Sequence, residues 1–315
     1  MFVSRILSCF FIYLIVLISM SFFTLLERKV LGYIQLRKGP NKVGFIGVLQ
    51  PFSDALKLFR KELRIPRISN IYPFLISPVL GLMLALMLWY IYPSSSFIYA
   101  INFRVFIFLC ISSLRVYRTL VAGWTSNSKY SLLGSLRRVA QTISYEVRMS
   151  LVLLRCLCCF MRLSYSYIYI YNFIGIFFLF MPLFFIWFTT TLAETNRTPF
   201  DFAEGESELV SGFNTEYRRA TFALIFMAEY LNIIAIRLFS SLFFMPFFGV
   251  RMVKDLILML YALFFSFIFI WVRGRFPRIR YDLLINLTWK GFLPFSLCVM
   301  MIFIRCIYIL WYCAG

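Results

Sequence analysis

Long apolar stretches alternate with shorter polar segments along the whole chain. A helix needs about 20 consecutive apolar residues to cross a bilayer, and eight stretches approach or exceed that length. They lie at roughly 6–26, 74–92, 103–124, 147–163, 170–193, 220–243, 256–272 and 291–313. The pattern predicts an all-α polytopic membrane protein with about eight transmembrane helices, built as a single transmembrane unit over residues 1–315.

The first long polar segment contains a helical pattern of another kind. Apolar side chains recur there at intervals of three and four residues. They are Leu49, Phe52, Leu56, Phe59 and Leu63. This spacing places them on one face and predicts an amphipathic interfacial helix near 49–63. Asp54 lies off the apolar stripe, and two interpretations stay open: the helix rests on the membrane surface, or Asp54 faces a polar cavity.

Composition supports a membrane protein and gives it an orientation. The chain is 62% hydrophobic, and its net charge of +19 could at first indicate nucleic acid. However, 21 of its 32 Lys and Arg residues fall in four segments on the same side of the predicted spans, and only five fall on the other side. The four loops are 27–73, 124–146, 194–219 and 273–290. This asymmetry predicts that these loops share one face, that both termini lie on the opposite face, and that nucleic acid is not a partner.

Several classes of chemistry are excluded. The chain has no histidine, so haem ligation by histidine and histidine acid–base catalysis are unavailable. Its eight cysteines lack the paired spacing of a metal site, and we expect them to be packing residues and no metal to be bound. Neither common glycine-rich phosphate motif occurs. We also expect no cleavable signal or transit peptide before the first span.

The acidic residues are few and clustered. Six of the thirteen lie between Glu194 and Glu216, where apolar residues such as Phe200 and Phe202 are interleaved with them. This mixture favours a segment folded into the protein, because irregular backbone at membrane depth is tolerated only where it lines a polar cavity. Closely spaced acids titrate as a coupled set. Arg197 is the only base inside the cluster, and we expect it to pair with one of these carboxylates.

Glu229 lies near the middle of the sixth predicted span. An ionised carboxylate at that depth is unfavourable by about 3 kcal/mol on insertion scales. Two interpretations follow: a structural ion pair, for which Arg237 is the available partner, or a proton relay, which the neighbouring acids favour. For the arginines within predicted spans, we expect contacts with interfacial water, anionic lipid or neighbouring chains. They are Arg115, Arg118, Arg155, Arg237 and Arg305.

Long motifs make the chain recognisable. The stretch ERKVLGYIQLRKGPN at 27–41 and the stretch LAETNRTPFD at 192–201 are two of them. Others lie at 50–62, 123–130, 141–146, 204–214, 227–230 and 277–282, with Trp289 and Lys290. In this order the motifs resemble the subunit 1 family of proton-pumping NADH:ubiquinone oxidoreductase, respiratory complex I, in its mitochondrially encoded form.

The resemblance implies a membrane-arm subunit in the mitochondrial inner membrane, with both termini on the intermembrane-space side. It implies a tunnel for ubiquinone, which is a substrate, and no redox cofactor on this chain, because FMN and the iron–sulfur clusters belong to partner subunits. Alone, the chain would be inactive. The implied partners are peripheral-arm and membrane-arm subunits and anionic lipid such as cardiolipin.

The family's functional residues carry over to matching positions. A proton-coupling path would comprise Asp54, Glu62, Glu146, Glu194, Asp201, Glu204, Glu206 and Glu229. The quinone cavity and subunit interface would comprise Arg28, Gln35, Arg37, Arg137, Arg197, Arg278 and Arg280. Four of the arginines within spans depart from the family, which usually carries small or apolar residues at Arg115, Arg118, Arg155 and Arg237.

Two other interpretations remain open from the residues. A proton-coupled secondary transporter would also use acids within its spans, although no inverted repeat typical of such proteins is visible. A related membrane-bound hydrogenase or plastid-type dehydrogenase subunit would differ in its electron donor, which binds other chains.

Overall fold

The computed structural model describes residues 2–92, 104–160, 177, 180–202 and 211–314. Helices make up most of these residues, and no strand occurs among them. The all-α fold class is therefore confirmed. The predicted fifth span at 170–193 lies largely outside the described residues.

Ten α-helices are described. They are α1 (Phe2–Ile34), α2 (Gln50–Arg60), α3 (Ile71–Tyr90), α4 (Arg104–Thr125), α5 (Lys129–Phe160), α6 (Met181–Glu194), α7 (Ala220–Phe244), α8 (Arg251–Arg275), α9 (Tyr281–Asn286) and α10 (Leu293–Ala314). Short 3-10 turns occur at Phe45–Gly47 and Gly212–Asn214. A π-helical turn at Leu287–Phe292 joins α9 to α10.

Six segments within the described residues are long and apolar enough to cross a membrane. They are Leu7–Ile34, Ile71–Tyr90, Arg104–Thr125, Ala220–Phe244, Met252–Arg275 and Tyr281–Arg305. Each overlaps a predicted span. The fourth predicted span, 147–163, begins inside α5, which also contains the polar residues before it. The full division into eight spans and their loops stays a prediction.

Packing around α7 forms the main apolar core. This helix contacts α3, α8 and α1, while α4 lies between α3 and α5. Trp187 of α6 is fully buried there, and its indole nitrogen donates to the Ser240 hydroxyl over 2.9 Å. A tryptophan can be buried in this way because its polar atom has a partner. The core holds the helices that carry the polar site in fixed positions.

The amphipathic helix lies against the outside of this core. Its apolar stripe is largely exposed, including Leu56 and Phe59, as expected of a helix that faces a bilayer or another chain. The connection before it is tight. Gly47 has a φ of 77°, and a Cβ atom there would lie 2.2 Å from the Pro40 carbonyl oxygen. The turn therefore requires glycine.

Candidate functional site

Two arginines on one face of α4 point into the protein. Arg115 and Arg118 are three residues apart, so they project from the same side of the helix. Arg115 Nη2 donates to Glu194 Oε1 at the end of α6. Arg118 Nη2 donates to Glu229 Oε1 of α7 over 3.2 Å. All four side chains are at most 14% exposed, so these ion pairs are screened little by water.

Glu229 is shared by two arginines. Besides Arg118, it accepts a hydrogen bond from Arg138 Nη1 of α5 over 2.9 Å. The Arg138 guanidinium also lies 4.6 Å from the centre of the Phe213 ring. This carboxylate therefore joins α4, α5 and α7. A buried charge is tolerated when it is paired in this way.

The irregular segment after α6 is fixed by side chains of α5. Gln141 Nε2 donates to the carbonyl oxygens of Ala193, over 3.0 Å, and Phe200, over 2.9 Å. In the amide orientation that satisfies its neighbours, Asn196 accepts from Arg138 Nη2 and Nε over 3.1 and 2.9 Å. Side chains of α5 thus bind one backbone carbonyl and one side-chain amide of this segment. Residues 203–210 lie outside the described part of the chain.

Two small polar cavities meet at Glu229. The larger, of about 40 Å³, lies between α4, α5, α6 and α7 and is lined by Glu146, Glu194 and Glu229 with three arginines. The smaller, of about 20 Å³, is lined by Asp201, Arg197 and Arg273. Arg138, Asn196 and Glu229 line both. Since one water needs about 10–15 Å³, the larger has room for about three waters and the smaller for about one.

A second shared carboxylate lies beyond the smaller cavity. Glu27 of α1 accepts from the Tyr230 hydroxyl over 2.6 Å and from Arg273 Nη1 of α8. Arg197 Nη1 is 3.5 Å from the same carboxylate. Arg197 also stacks 4.6 Å from the centre of the Tyr230 ring. This carboxylate therefore links α1, α7, α8 and the segment after α6.

Asp201 lies between the smaller cavity and the outside. Its Oδ2 atom is 3.6 Å from Arg278 Nη2, and its buried Oδ1 atom has no hydrogen-bond partner. Burial raises the pKa of the Asp201 carboxyl above its usual range, although nearby guanidinium groups, first that of Arg278, act in the opposite direction. A carboxyl in this situation can take up a proton more readily than an exposed aspartate.

The chain is similar to known proteins over most of its length. A family model described as NADH dehydrogenase matches residues 7–304. The chain belongs to the NADH dehydrogenase family. It is 52% identical over 290 residues to NADH-ubiquinone oxidoreductase chain 1 of Anopheles gambiae, covering 92% of this chain and 91% of that protein. It is 50% identical over 311 residues to the Heterololigo bleekeri protein of the same name, covering 98% and 97%.

A third relative has the same name. NADH-ubiquinone oxidoreductase chain 1 of Artemia franciscana is 51% identical over 293 residues, covering 91% of this chain and 95% of that protein. The resemblance drawn from the motifs is therefore confirmed. The roles of individual residues are not decided by these matches, and they stay predictions.

For this NADH dehydrogenase family member, the predicted path residues fall into separate groups. Glu146, Glu194, Asp201 and Glu229 line the two cavities. Asp54 lies outside them, where it accepts from Arg28 Nη1 over 2.6 Å and from Gln50 Nε2 over 2.9 Å. Glu62 is exposed. Glu204 and Glu206 lie outside the described residues.

The predicted cavity and interface residues are more dispersed. Gln35 and Arg37 are exposed and hydrogen-bonded to each other over 2.9 Å. Arg280 is exposed and pairs with Asp282 over 3.1 Å. Arg137 is half-buried on α5. Of this group, Arg197 lines the smaller cavity, and Arg278 pairs with Asp201, which also lines it.

Glu62 borders a separate surface cavity of about 430 Å³, which Leu58, Lys61, Arg218 and Arg219 also line. The Glu62 backbone carbonyl accepts a hydrogen bond from Arg219 Nη1. The charge of this cavity is predominantly basic.

The interpretation of the arginines within spans is wrong for four of them. Arg155 is buried, with its guanidinium 4.2 Å from the centre of the Phe180 ring and 5.1 Å from that of Phe303. Arg115 and Arg118 pair with Glu194 and Glu229 inside the protein. Arg237, expected as the partner of Glu229, is instead buried between the rings of Phe23 and Phe269, 4.2 and 4.6 Å from their centres. Hydropathy alone could not find these contacts, because their partners lie on other helices.

Arg197 was expected to pair with an acid of its own cluster. Within the described part of the chain its ion pair is with Glu27 of α1, and Glu204, Glu206 and Glu208 of the cluster lie outside that part. Glu27 itself was missed as a site residue. One signal was available: it is the single acid at the end of the first apolar stretch, where a carboxylate needs a partner. Among the described residues, no group of three or more His, Cys, Asp or Glu side chains could hold a metal ion.

Proposed function

We propose that this chain is a core membrane subunit of proton-pumping NADH:ubiquinone oxidoreductase, part of that enzyme without holding a redox cofactor. The end-to-end match to relatives named NADH-ubiquinone oxidoreductase chain 1 carries this proposal. The described site supports a role in coupling, because buried carboxylates, guanidinium groups and room for water form a connected polar region within a bundle of apolar helices.

The proposal assigns ubiquinone to the side of the chain where Arg278 and Asp201 lie. Quinone reduction takes up protons and changes charge, and Asp201, with its raised pKa, lines the smaller cavity and lies 3.6 Å from the exposed Arg278. A change of charge there is felt at Glu229 through Arg138 and Arg197, which line the same small cavity. From Glu229 it reaches the larger cavity and Glu146. Partner subunits would supply FMN and the iron–sulfur clusters.

The proposal also includes the surroundings of the chain. The membrane would be the mitochondrial inner membrane, with both termini on the intermembrane-space side and the basic loops facing the peripheral arm. The basic surface cavity formed by Lys61, Arg218 and Arg219 suits an anionic lipid headgroup such as that of cardiolipin. Its neighbour α2 presents an apolar face that a bilayer would cover.

The test begins with native membranes. They would be solubilised gently, complexes separated on a native gel, and the band containing this polypeptide found by mass spectrometry. That band would be assayed for NADH:quinone reductase activity and its inhibition by rotenone. We expect the chain in a large, rotenone-sensitive NADH-oxidising assembly. A small band without redox partners would contradict the proposal and favour a proton-coupled transporter.

A further inference from the structure

The larger cavity contains equal numbers of acids and arginines, but they are paired unequally. Glu229 is bound by Arg118 and Arg138, and Glu194 is bound by Arg115. These contacts use all three arginines of the cavity. Glu146 lines the same cavity, and no ion pair to it occurs among the described residues.

The groups that face Glu146 come from every helix around the cavity. Ser112 and Arg115 approach from α4; the Ser112 hydroxyl donates to the Leu109 carbonyl over 2.8 Å, and the positive charge of Arg115 favours the ionised form of Glu146 without forming an ion pair with it. Glu194 approaches from the end of α6. Glu229 and Asn232 lie on α7, and Arg118, Arg138 and Thr142 complete the lining. Glu146 is thus surrounded by charges that already have partners.

A proton added to this cavity has three possible acceptors with unequal consequences. Protonating Glu229 would leave two buried guanidinium groups without a counter-ion, and protonating Glu194 would leave one. Both changes are strongly unfavourable in a poorly hydrated site. Protonating Glu146 breaks no ion pair and changes the cavity from neutral to one positive charge.

We propose that Arg115 and Arg118 are positioning residues that keep Glu194 and Glu229 as anions, so that Glu146, which the resemblance already places on the proton-coupling path, is the one carboxyl of this cavity that takes up and releases the proton. This inference rests on the proposed function and deepens it. The proton reaches Glu146 through water, for which the cavity has room, forms an O–H bond at the carboxylate, and leaves by the reverse step. No electron moves in this step.

The arginines of α4 decide which carboxylates of the cavity have a counter-ion. Without Arg115, Glu194 would be a buried carboxylate with no counter-ion, and it would also take up a proton. The two α4 arginines therefore decide how many carboxyls in the cavity titrate. In this chain their positions leave one.

Infrared difference spectroscopy of the purified complex tests this division directly. Spectra of the quinone-oxidised and quinone-reduced enzyme would be compared in the region of the protonated carboxylic acid. We expect a carboxylic acid signal that is lost in E146Q. We expect R115M to gain a second such signal, from Glu194. D255N, which changes a half-buried carboxylate of α8 that lines neither cavity, is the control and should leave the wild-type signal.

Three outcomes decide the inference. Loss of the signal in E146Q together with a second signal in R115M supports it. Persistence of the full signal in E146Q, or an unchanged spectrum in R115M, overturns it. If either variant assembles poorly, the conservative changes E146D and R115K decide. A shifted carboxylic acid signal in E146D and no added signal in R115K support the inference, and an unshifted signal in E146D overturns it.

The native-gel experiment separates this inference from the proposed function. If the chain is absent from a rotenone-sensitive assembly, both the proposed function and this inference are contradicted. A chain that is present there, but whose spectrum does not depend on Glu146, removes only the assignment of the proton to Glu146.

Discussion

Replacing Glu229 by glutamine removes the charge that holds two buried arginines. Arg118 and Arg138 approach this carboxylate at 3.2 and 2.9 Å, and all three side chains are at most 14% exposed. Breaking a buried ion pair from one side costs about 3–5 kcal/mol. Because the glutamine oxygen still accepts one hydrogen bond, we expect a loss near the low end, ~3 kcal/mol.

This loss should lower the amount of assembled complex several-fold without abolishing it, because α7 keeps its apolar packing against α3 and α8. Coupled turnover of the complex that does assemble should fall further, by about tenfold or more, which corresponds to ~1.4 kcal/mol at the transition state. Native gels measure the first effect, and proton pumping per complex measures the second. D255N should change neither, because Asp255 lines neither cavity.

A double-mutant cycle identifies the cause. If the harm in E229Q comes from uncompensated guanidinium groups, adding R118M should restore part of the thermal stability. The two changes should then be non-additive, with a coupling energy of about 1–3 kcal/mol. Additive losses in thermal denaturation of the solubilised complex would refute the ion-pair reasoning, and full assembly with full pumping in E229Q would remove Glu229 from the coupling path.

Three further predictions concern neighbouring contacts. A Cβ atom at Gly81 would lie 2.1 Å from Arg118 Cδ. G81A should therefore displace that arginine and reduce the amount of assembled complex on native gels. G291A is the control and should not, because a Cβ there meets nothing within 4 Å. Y230F removes the hydroxyl that donates to Glu27 over 2.6 Å and should lower thermal stability by about 1.5–3 kcal/mol; Y72F, at an exposed tyrosine, is the control, and an equal effect would contradict the prediction. Burial raises the pKa of Asp201, so its ionised form opposes folding above that pKa, and this penalty disappears as the pH falls through it. D201N removes the ionised form and should therefore melt no lower than wild type at neutral pH. On acidification the wild type should gain stability from this group, and D201N should not. A lower melting temperature of D201N at neutral pH would show that its pairing with Arg278 outweighs burial.

The sequence predicts the helices well because each carries its own signal. The intervals between Leu49 and Leu63 predicted an amphipathic helix, and α2 occupies Gln50–Arg60. Its three-residue shortfall at the end reflects the extended backbone of Lys61, which a hydrophobic repeat does not encode. Six of the predicted spans overlap described segments that are long and apolar enough to cross a membrane.

The site is less predictable because its contacts join distant parts of the chain. Arg115 and Glu194 are 79 residues apart, and Arg118 and Glu229 are 111 apart. Hydropathy registers such an arginine only as a polar interruption of a span. The acids were found from sequence because carboxylates near a bilayer are few and unfavourable. Their partners could not be chosen, because Arg118, Arg138 and Arg237 all lie within plausible reach before the helices are packed.

The pairing pattern separates two kinds of acid in this protein. Glu27 and Glu229 each form ion pairs with two arginines, so protonating either would leave two guanidinium groups without that counter-ion. Asp201 and Glu146 have looser surroundings, and they lie in the smaller and the larger cavity on either side of Glu229. If protons move through this region, Asp201 and Glu146 are suited to carry them, whereas Glu229 is suited to keep a constant negative charge between them. A change of charge at Asp201 would then alter the readiness of Glu146 to accept a proton without Glu229 ever losing its own charge.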